Sequence, residues 1–442
     1  MIFSRNKKLS SFSHNIIQQY YEDTGIKNGR ICNAPFTGLY FTPDGLVKPC
    51  CAFSDSLAYG YFPKYSISDI LNSDNRKVLQ KHIKKNNLSF GCQACLKNIS
   101  SGNFRGSISS LYQKYKSGKY PEVIDFELSH FCNLSCVMCY LHTNLKTNNE
   151  VYGNKFLEEI KPYLSRTMAT RFYGGEPFLI KIYYDIWNYL AQHNKECQVH
   201  IQTNGTVFNK DIEDLLNKLN IFLGISIDAI TPSLYEQIRK GADYNKVMEH
   251  TQRFNEIMHS QGKSLTISFC PMPVNWEEIP DMFRFADSLK SILFFNTVTY
   301  PSRYSFDFLT SADIKKITAE LERFRPQKSN NPHHQDNFIN LNNLIHGLNV
   351  LSEKNKKTEH EIQPMKLHKF LSELIIITGD DHLVSGLRNL MSKFDMNMPV
   401  SPYLIASIRQ LTRMEINYLL SNIENSNDEA YLINIFQAEY QH

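Results

Sequence analysis

The sequence lacks several features that would place it in a broad class. It contains no run of about 18 apolar residues, so we predict no membrane-spanning helix. Its first residues, MIFSRNKKLSSFSHN, include neither an apolar core nor a small-residue cleavage site, which argues against a secretory signal and favours a cytoplasmic location. The net charge is only +4 over 442 residues, too small an excess to indicate a nucleic-acid partner.

Cysteine is absent from the last part of the chain. None of the ten cysteines follows Cys270, and eight lie within the first 139 residues. In a chain without a secretory signal, clustered cysteines indicate metal ligation more than a disulfide framework. Cys197 and Cys270 stand alone, and we predict that both are buried as small apolar residues. The other eight cysteines are the candidate metal ligands.

The pattern of apolar residues divides the chain into three predicted domains. Residues 1–115 form a small cysteine-bearing domain, residues 116–302 alternate strand-like and helix-like stretches, and residues 303–442 are free of cysteine and helical in pattern. Strands are predicted at 123–129, 170–173, 199–203, 222–227, 265–269 and 292–298. Helices are predicted at 183–193, 210–219, 232–238 and 244–261. This alternation predicts an α/β fold with a parallel sheet and a ligand site at the carboxyl ends of its strands.

The first of these strands leads into the sequence SHFCNLSCVMCY. Cys132, Cys136 and Cys139 have the spacing C-x3-C-x2-C, which puts three thiolates on one short loop. Three thiolates can hold a cubane iron–sulfur cluster and leave one iron without a protein ligand. An open iron can chelate a substrate or cofactor. A zinc site is the alternative, but it would need a fourth cysteine or histidine close by.

This loop resembles that of the radical S-adenosylmethionine (SAM) superfamily, and the resemblance extends over most of the middle domain. In that family the open iron binds the amino and carboxylate groups of SAM. One electron then cleaves the sulfonium to give a 5′-deoxyadenosyl radical, which abstracts hydrogen from a substrate. The resemblance implies a radical SAM enzyme with a partial (β/α)6 TIM-type barrel, and an electron donor such as flavodoxin or ferredoxin.

A GGEP motif after the second predicted strand resembles a SAM-binding motif of the family. It consists of Gly174, Gly175, Glu176 and Pro177. In the family the glycines allow close approach of the backbone, and the glutamate, through its backbone or side chain, receives the methionyl ammonium.

Other positions at strand ends resemble the family's remaining SAM contacts. They are Thr203 and Asn204 of a TNG segment, Ser226 and Asp228 of an S-x-D pair, Arg239 of an R-x-G segment, Asn275 and Met138. The serine and aspartate would meet the ribose or the methionyl end, and the arginine can pair with the SAM carboxylate. The asparagine would lie near the adenine. Met138 stands where many members carry an aromatic residue, and its thioether can also pack on adenine.

The N-terminal domain carries a second group of cysteines. Cys32, Cys50, Cys92 and Cys95 are sufficient for a four-thiolate site, with Cys51 as a rival to Cys50. Their spacing resembles the SPASM or twitch domain, in which a hairpin with G-x4-C precedes a helix and a further cysteine pair. That helix is predicted at residues 66–83. The resemblance implies an auxiliary [4Fe–4S] cluster, although such domains usually follow the radical SAM core, and a zinc ribbon is the alternative.

The sequence predicts the class of substrate less specifically than it predicts the cofactors. The SPASM-like cysteines favour modification of a peptide or protein side chain. A dehydrogenase, epimerase or mutase acting on a small metabolite is the second hypothesis, and an iron–sulfur binding or sensor protein is the third. A sensor would have no need of the SAM-side motifs. The catalytic acid or base is not identified by the sequence; Tyr173, Tyr300 and Arg303 lie near predicted strand ends.

Overall fold

The computed structural model describes residues 14–25, 30–100, 102, 104, 107–115, 120–139, 151–299, 301, 304–361, 365–366, 368–370, 372–373 and 399–400. These residues divide into two compact units. The first unit lies within Met1–Asn133, Asn144–Ile225 and Glu249–Leu265, and the second lies within Leu134–Thr143, Ser226–Met248 and Thr266–His442. No helix in the described part of the chain is long and apolar enough to cross a membrane.

The first unit is built on a sheet in the strand order β3-β2-β1-β4-β5-β6-β7. Its strands are β1 (Gly38–Phe41), β2 (Leu46–Lys48), β3 (Gly60–Tyr61), β4 (Val123–Phe126), β5 (Ala169–Phe172), β6 (Gln198–Thr203) and β7 (Ile221–Ser226). Strands β4 to β7 pair in parallel. Strand β1 also pairs in parallel with β4, whereas β2 and β3 add antiparallel strands beyond β1.

Among the described residues, eight α-helices lie wholly in the first unit. They are α1 (His14–Thr24), α2 (Ala34–Thr37), α3 (Ile67–Leu71), α4 (Asp74–Ile83), α5 (Gln93–Ser100), α6 (Asn154–Leu164), α7 (Lys181–His193) and α8 (Lys210–Lys218). The segment 66–83, predicted to be helical, contains two helices, because α3 ends at Leu71 and α4 begins at Asp74. Ser66 caps α3 in a capping box with Asp69, and the Ser73 side chain caps α4 by accepting from Arg76 N.

Aromatic side chains fill the helix-facing side of the sheet. The rings of Phe126 on β4 and Phe172 on β5 stack with centroids 5.1 Å apart, and Trp187 of α7 meets Phe172 edge to face at 5.2 Å. All three side chains are fully buried. Burial of side chains of this size stabilises a fold by roughly 1.5–3 kcal/mol each. Because successive side chains of a strand point to opposite faces, the alternate residues of β4, β5 and β6 lie on the other face of the sheet.

The second unit contains the parallel pair β8 (Thr266–Phe269) and β9 (Ile292–Phe295). Its helices are α9 (Pro232–Ile238), the beginning of α10 (Tyr244–Ser260), α11 (Ile279–Ser288), α12 (Ser311–Arg323) and α13 (His334–Glu361). Two short strands, β10 (Met365–Lys366) and β11 (Pro399–Val400), pair in antiparallel fashion.

The predicted α/β class with parallel strands is confirmed. Every predicted strand and helix of the middle domain is present, with ends shifted by up to three residues. Residues 303–442, predicted to be helical, supply α12 and α13, and most of the chain after 373 lies outside the described residues. Tyr300 and Arg303 also lie outside them. The boundaries of the three domains stay a prediction.

Candidate active site

In the first unit, Asn204 at the end of β6 holds the loop that carries Cys132. Its Nδ2 lies 3.6 Å from Cys132 Sγ and donates to Asn133 Oδ1 at 3.0 Å. Its Oδ1 accepts from the backbone and hydroxyl of Thr206 at 2.9 and 2.7 Å. Asn204 is buried, so this network fixes the orientation of its amide. A residue that the resemblance assigns to SAM thus also contacts a cluster cysteine.

The carboxylate of Glu176 is hydrogen-bonded to residues at the end of β6. Its Oε1 accepts from the Thr203 hydroxyl at 2.7 Å and from Phe178 N at 3.2 Å, and its Oε2 accepts from Asn204 N at 2.7 Å. The side chain is completely buried, and Pro177 beside it is buried at the start of a short 3₁₀ helix. The carboxylate therefore joins the GGEP loop to the TNG segment.

The two glycines of GGEP pack against the backbone that precedes Cys132. Gly174 has a φ of +103°, which glycine adopts without strain. A Cβ at Gly174 would overlap the carbonyl oxygen of Ser129, and a Cβ at Gly175 would overlap that of Phe131. Two backbone bonds close the contact, from Gly175 N to Ser129 O at 3.0 Å and from Glu176 N to Phe131 O at 2.8 Å. The glycines are required by the cysteine loop itself.

In the second unit, the backbone around Cys136 is bonded to the segment that follows α9. Ser135 N donates to Lys240 O at 2.9 Å, and Val137 N donates to Ile238 O at 2.8 Å. The Arg239 side chain between these positions places Nη1 3.8 Å from Cys136 Sγ. Both of the described sulfur contacts, at Cys132 and at Cys136, come from residues of the predicted SAM motifs.

Arg239 and Asp228 form a buried ion pair, with 2.6 Å between Nη2 and Oδ2. Burial alone would lower the pKa of Arg239, but Asp228 and Cys136 raise it above its usual value, so the guanidinium is charged. Arg239 Nε and the hydroxyl of Tyr235 are buried and lack a hydrogen-bond partner among the described residues. Buried donors without partners are rare in proteins and indicate a missing acceptor, such as a ligand carboxylate.

Asn275 fixes the end of β8 through its amide. Its Nδ2 donates to Asp228 O at 2.8 Å and to Cys270 O at 3.0 Å, while its Oδ1 accepts from Met272 N at 2.7 Å. Asp228 Oδ1 accepts from Cys270 N at 2.7 Å. The side chains of Asn275 and Asp228 are thus hydrogen-bonded to the backbone that follows β8. Ser226 and Met138 are half-buried.

The four N-terminal cysteines proposed as ligands line one cavity in the first unit. Cys32, Cys50, Cys92 and Cys95 surround it, and no disulfide joins them. Burial, together with the neighbouring thiols, raises the pKa of Cys32 and of Cys50 well above the usual value. Cys51 is exposed and does not line this cavity. Because the thiols resist ionisation while no cation is present, metal binding here must displace their protons.

Two kinds of metal group bind four thiolates. One zinc ion binds four sulfurs at about 2.3 Å, and a cubane iron–sulfur cluster binds one sulfur at each of its irons. Among the described residues, no group of three His, Cys, Asp or Glu side chains that could hold one metal ion is found.

A row of polar residues that was not predicted from the sequence lies on the sheet face opposite the aromatic core. Tyr40, Asp125, Arg171 and His200 are register partners on β1, β4, β5 and β6. The alternation of polar and apolar residues in β4 and β5 was the available signal. The alignment of these side chains depends on strand register, which only the structure supplies.

Models of known families match two separate parts of the chain. The radical SAM superfamily model matches residues 126–286, and a model described as an iron–sulfur cluster-binding domain, SPASM, matches residues 32–96. Residues 126–286 are therefore a radical SAM domain. The chain carries a SPASM domain before its radical SAM domain, so the sequence-based resemblance is confirmed. The two domains imply [4Fe–4S] clusters and SAM as cofactors.

Curated relatives match over part of their length. The antilisterial bacteriocin subtilosin biosynthesis protein AlbA of Bacillus subtilis is 27% identical over 230 residues, which cover 50% of this chain and 47% of AlbA. A cysteine-type anaerobic sulfatase-maturating enzyme of Clostridium novyi is 29% identical over 142 residues, which cover 28% of this chain and 37% of the enzyme. The matched part of the chain spans about half or less of the length of each of these two relatives.

A solved structure is also similar to part of the chain. Streptococcus suis SuiB bound to S-adenosylmethionine is 17% identical with a TM-score of 0.35, and the match covers 51% of this chain and 49% of SuiB.

Proposed function

We propose that this radical SAM protein binds SAM at the cluster of Cys132, Cys136 and Cys139 and abstracts hydrogen from a peptide or protein side chain. The observation that carries this proposal is the pair of contacts to cysteine sulfur, from Asn204 to Cys132 and from Arg239 to Cys136. Donors of this kind orient metal ligands and stabilise their thiolate form. When bound and reduced, the cluster supplies the electron that converts SAM to a 5′-deoxyadenosyl radical.

We assign the ammonium, the carboxylate and the adenine of SAM to different residues of the chain. Because the Glu176 carboxylate already accepts three hydrogen bonds from the protein, we assign reception of the methionyl ammonium to the GGEP backbone. The buried Nε of Arg239 is the donor that we assign to the SAM carboxylate, since it has no partner among the described residues. Asn275 would shape the adenine side by holding the backbone after β8.

The auxiliary cluster would be held by Cys32, Cys50, Cys92 and Cys95. With four thiolates, each iron of a cubane has a protein ligand, so the cluster can exchange electrons but cannot chelate a substrate. Its surroundings are mostly apolar, because proline, alanine, leucine and phenylalanine side chains supply much of the cavity wall. We therefore propose an electron-transfer role for it.

The choice of a peptide or protein substrate draws on the relatives. One is named for the biosynthesis of a bacteriocin and another for the maturation of a sulfatase. Both names refer to a peptide or protein product, and both relatives are similar to this chain over part of its length. A small metabolite is the competing substrate class. A flavodoxin- or ferredoxin-type protein would supply the electrons.

The test begins with anaerobic reconstitution of the full chain with iron and sulfide. The unmodified chain should hold about eight irons and, with dithionite, convert SAM to 5′-deoxyadenosine, whereas the Cys132→Ala/Cys136→Ala/Cys139→Ala variant should hold about four and form none. Arg239→Lys is a second variant, since it keeps the positive charge and removes both Nε and the Nη1 contact to Cys136. We expect it to bind SAM more weakly than the unmodified chain does.

The substrate class is tested with the active, reconstituted enzyme. Peptides encoded beside its gene and a panel of small metabolites are each incubated with SAM and reductant, and products are followed by mass spectrometry. A mass change in a peptide that depends on Cys132 supports the proposal. Turnover of a metabolite with every peptide unchanged would overturn the substrate assignment and leave SAM cleavage intact. Absence of 5′-deoxyadenosine with both clusters present would overturn the whole proposal.

A further inference from the structure

The cavity lined by the four N-terminal cysteines contains one hydroxyl side chain, that of Ser109. The rest of its described lining, apart from the cysteines, is apolar. Ser109 is 1% exposed, so its hydroxyl cannot be satisfied by bulk water. The direction of its hydrogen therefore depends on its protein neighbours and on whatever occupies the cavity.

Ser109 belongs to a chain of three buried hydroxyls. Its Oγ lies 2.7 Å from Tyr20 Oη and 2.6 Å from Ser107 Oγ. Tyr20 Oη also lies 3.3 Å from the carbonyl oxygen of Ile31. Burial raises the pKa of Tyr20 to about 12, so its phenol stays protonated and remains a donor.

Either atom of each of these contacts can be the donor, so the direction of the bonds is part of the inference. Each hydroxyl has one hydrogen to donate and can accept two. The phenol of Tyr20 makes its shorter contact with Ser109, and Ser107 makes its described side-chain contact with Ser109 as well. If both donate to Ser109, its two acceptor positions are filled and its own hydrogen points to a third partner. If Ser109 donated to Tyr20 instead, the Tyr20 hydroxyl would have to donate to Ile31 O over the longer distance of 3.3 Å.

We propose that the Ser109 hydroxyl donates a hydrogen bond to sulfur of the auxiliary cluster and raises its reduction potential. This inference rests on the proposed ligation by Cys32, Cys50, Cys92 and Cys95. Reduction adds negative charge to the cluster, so a donor aimed at its sulfur stabilises the reduced form more than the oxidised form. Ser109 would then be a positioning residue that acts on the cluster's electronics without ligating iron.

The experiment uses the full chain carrying Cys132→Ala/Cys136→Ala/Cys139→Ala, so that only the auxiliary cluster remains. Its midpoint potential is measured by dye-mediated titration with electron paramagnetic resonance. Ser109→Ala should keep the iron content and shift the potential to more negative values. Ser110→Ala is the matched control, because the Ser110 hydroxyl donates to Ser107 O and does not line the cavity. It should leave the potential unchanged.

A spectroscopic readout separates this role from simple packing. After exchange into D₂O, the deuteron coupling to the reduced cluster should weaken in Ser109→Ala relative to Ser110→Ala. If Ser109→Ala fails to hold iron, the matched pair Ser109→Thr and Ser109→Val replaces it, and the threonine variant should have the higher potential. Equal potentials within either pair, with about four irons bound, would overturn the inference. Loss of iron from the starting variant itself would instead overturn the proposed ligation.

Discussion

Asp125 and Arg171 face each other across two neighbouring parallel strands, with 3.4 Å between Asp125 Oδ1 and Arg171 Nη1. Both side chains are largely buried, and the Tyr112 hydroxyl donates to Asp125 Oδ2 at 2.7 Å. Burial raises the pKa of Asp125, while Arg171 and Tyr112 oppose that shift. This pair joins β4 to β5 on the polar face of the sheet.

Removal of Arg171 should destabilise the first unit strongly. Arg171→Met leaves a buried carboxylate without its countercharge, which costs about 3–5 kcal/mol in comparable pairs. The double variant Asp125→Asn/Arg171→Met should recover part of that loss. Urea unfolding followed by circular dichroism under anaerobic conditions measures both. Lys210→Met, which removes an exposed cation paired with Glu213 and Asp214, is the control and should leave the unfolding midpoint unchanged. Equal midpoints for Arg171→Met and the control would contradict the prediction.

His200 should make the stability of the first unit depend on pH. Burial lowers its pKa to about 4, and the positive charges of Arg171 and Lys114 add to that shift. Between pH 6.5 and 4 the unfolded chain takes up a proton on this residue that the folded chain does not, so stability falls as the pH falls. The full shift corresponds to about 3 kcal/mol.

The His200 contribution can be isolated with His200→Gln, which does not titrate. The difference in unfolding free energy between the parent chain and this variant should favour the parent by about 3 kcal/mol more at pH 7 than at pH 4. His193→Gln, at an exposed position on α7, is the matched control and should follow the parent curve. A difference that stays constant with pH would show that His200 titrates normally in the fold.

Gly175→Ala should prevent the cluster of the three-cysteine loop from forming while sparing the auxiliary cluster. The added Cβ would overlap the carbonyl oxygen of Phe131, one residue before Cys132, and a backbone atom cannot move aside cheaply. We expect about four irons in the variant and no 5′-deoxyadenosine. Gly153→Ala, whose Cβ would meet nothing within 4 Å, should retain about eight irons. Full iron content in Gly175→Ala would refute this packing argument.

Cys50→Ala and Cys51→Ala should differ in their iron content although they change adjacent residues. Cys50 lines the four-cysteine cavity and is buried, whereas Cys51 is exposed. In the background that lacks the three-cysteine loop's thiolates, Cys51→Ala should hold about four irons and Cys50→Ala should lose most of them. Iron and sulfide quantification measures this directly. The reverse result would make Cys51 the ligand.

Much of the secondary structure could be predicted from the sequence because local signals are strong there. The strands of the middle domain are short runs rich in β-branched and apolar residues, and α9 begins at Pro232, as predicted. The division of the 66–83 segment at Ser73 was missed. Serine is a strong N-cap, but this one lies within a continuous helical pattern of apolar residues.

The sites were predictable to the extent that motifs define them. The cysteine spacings and GGEP predict candidate ligands and the loop that carries them, but not the contact of the glycines with Ser129 and Phe131. Sequence also could not decide between Cys50 and Cys51, because adjacent residues share every local signal. The side-chain direction that separates them follows from the packing of the N-terminal strands.

The parallel pairing of β1 with β4 sets an order of events for the newly made chain. Gly38 and Val123 are register partners although 85 positions separate them, so β1 has no parallel neighbour until β4 has been synthesised. Pairing at such separation closes a long loop and slows folding. Loading of metal at the N-terminal cysteines before that closure would then occur on an incompletely folded segment. Assembly of the auxiliary site is therefore expected to follow, not precede, synthesis of the strand that leads to Cys132.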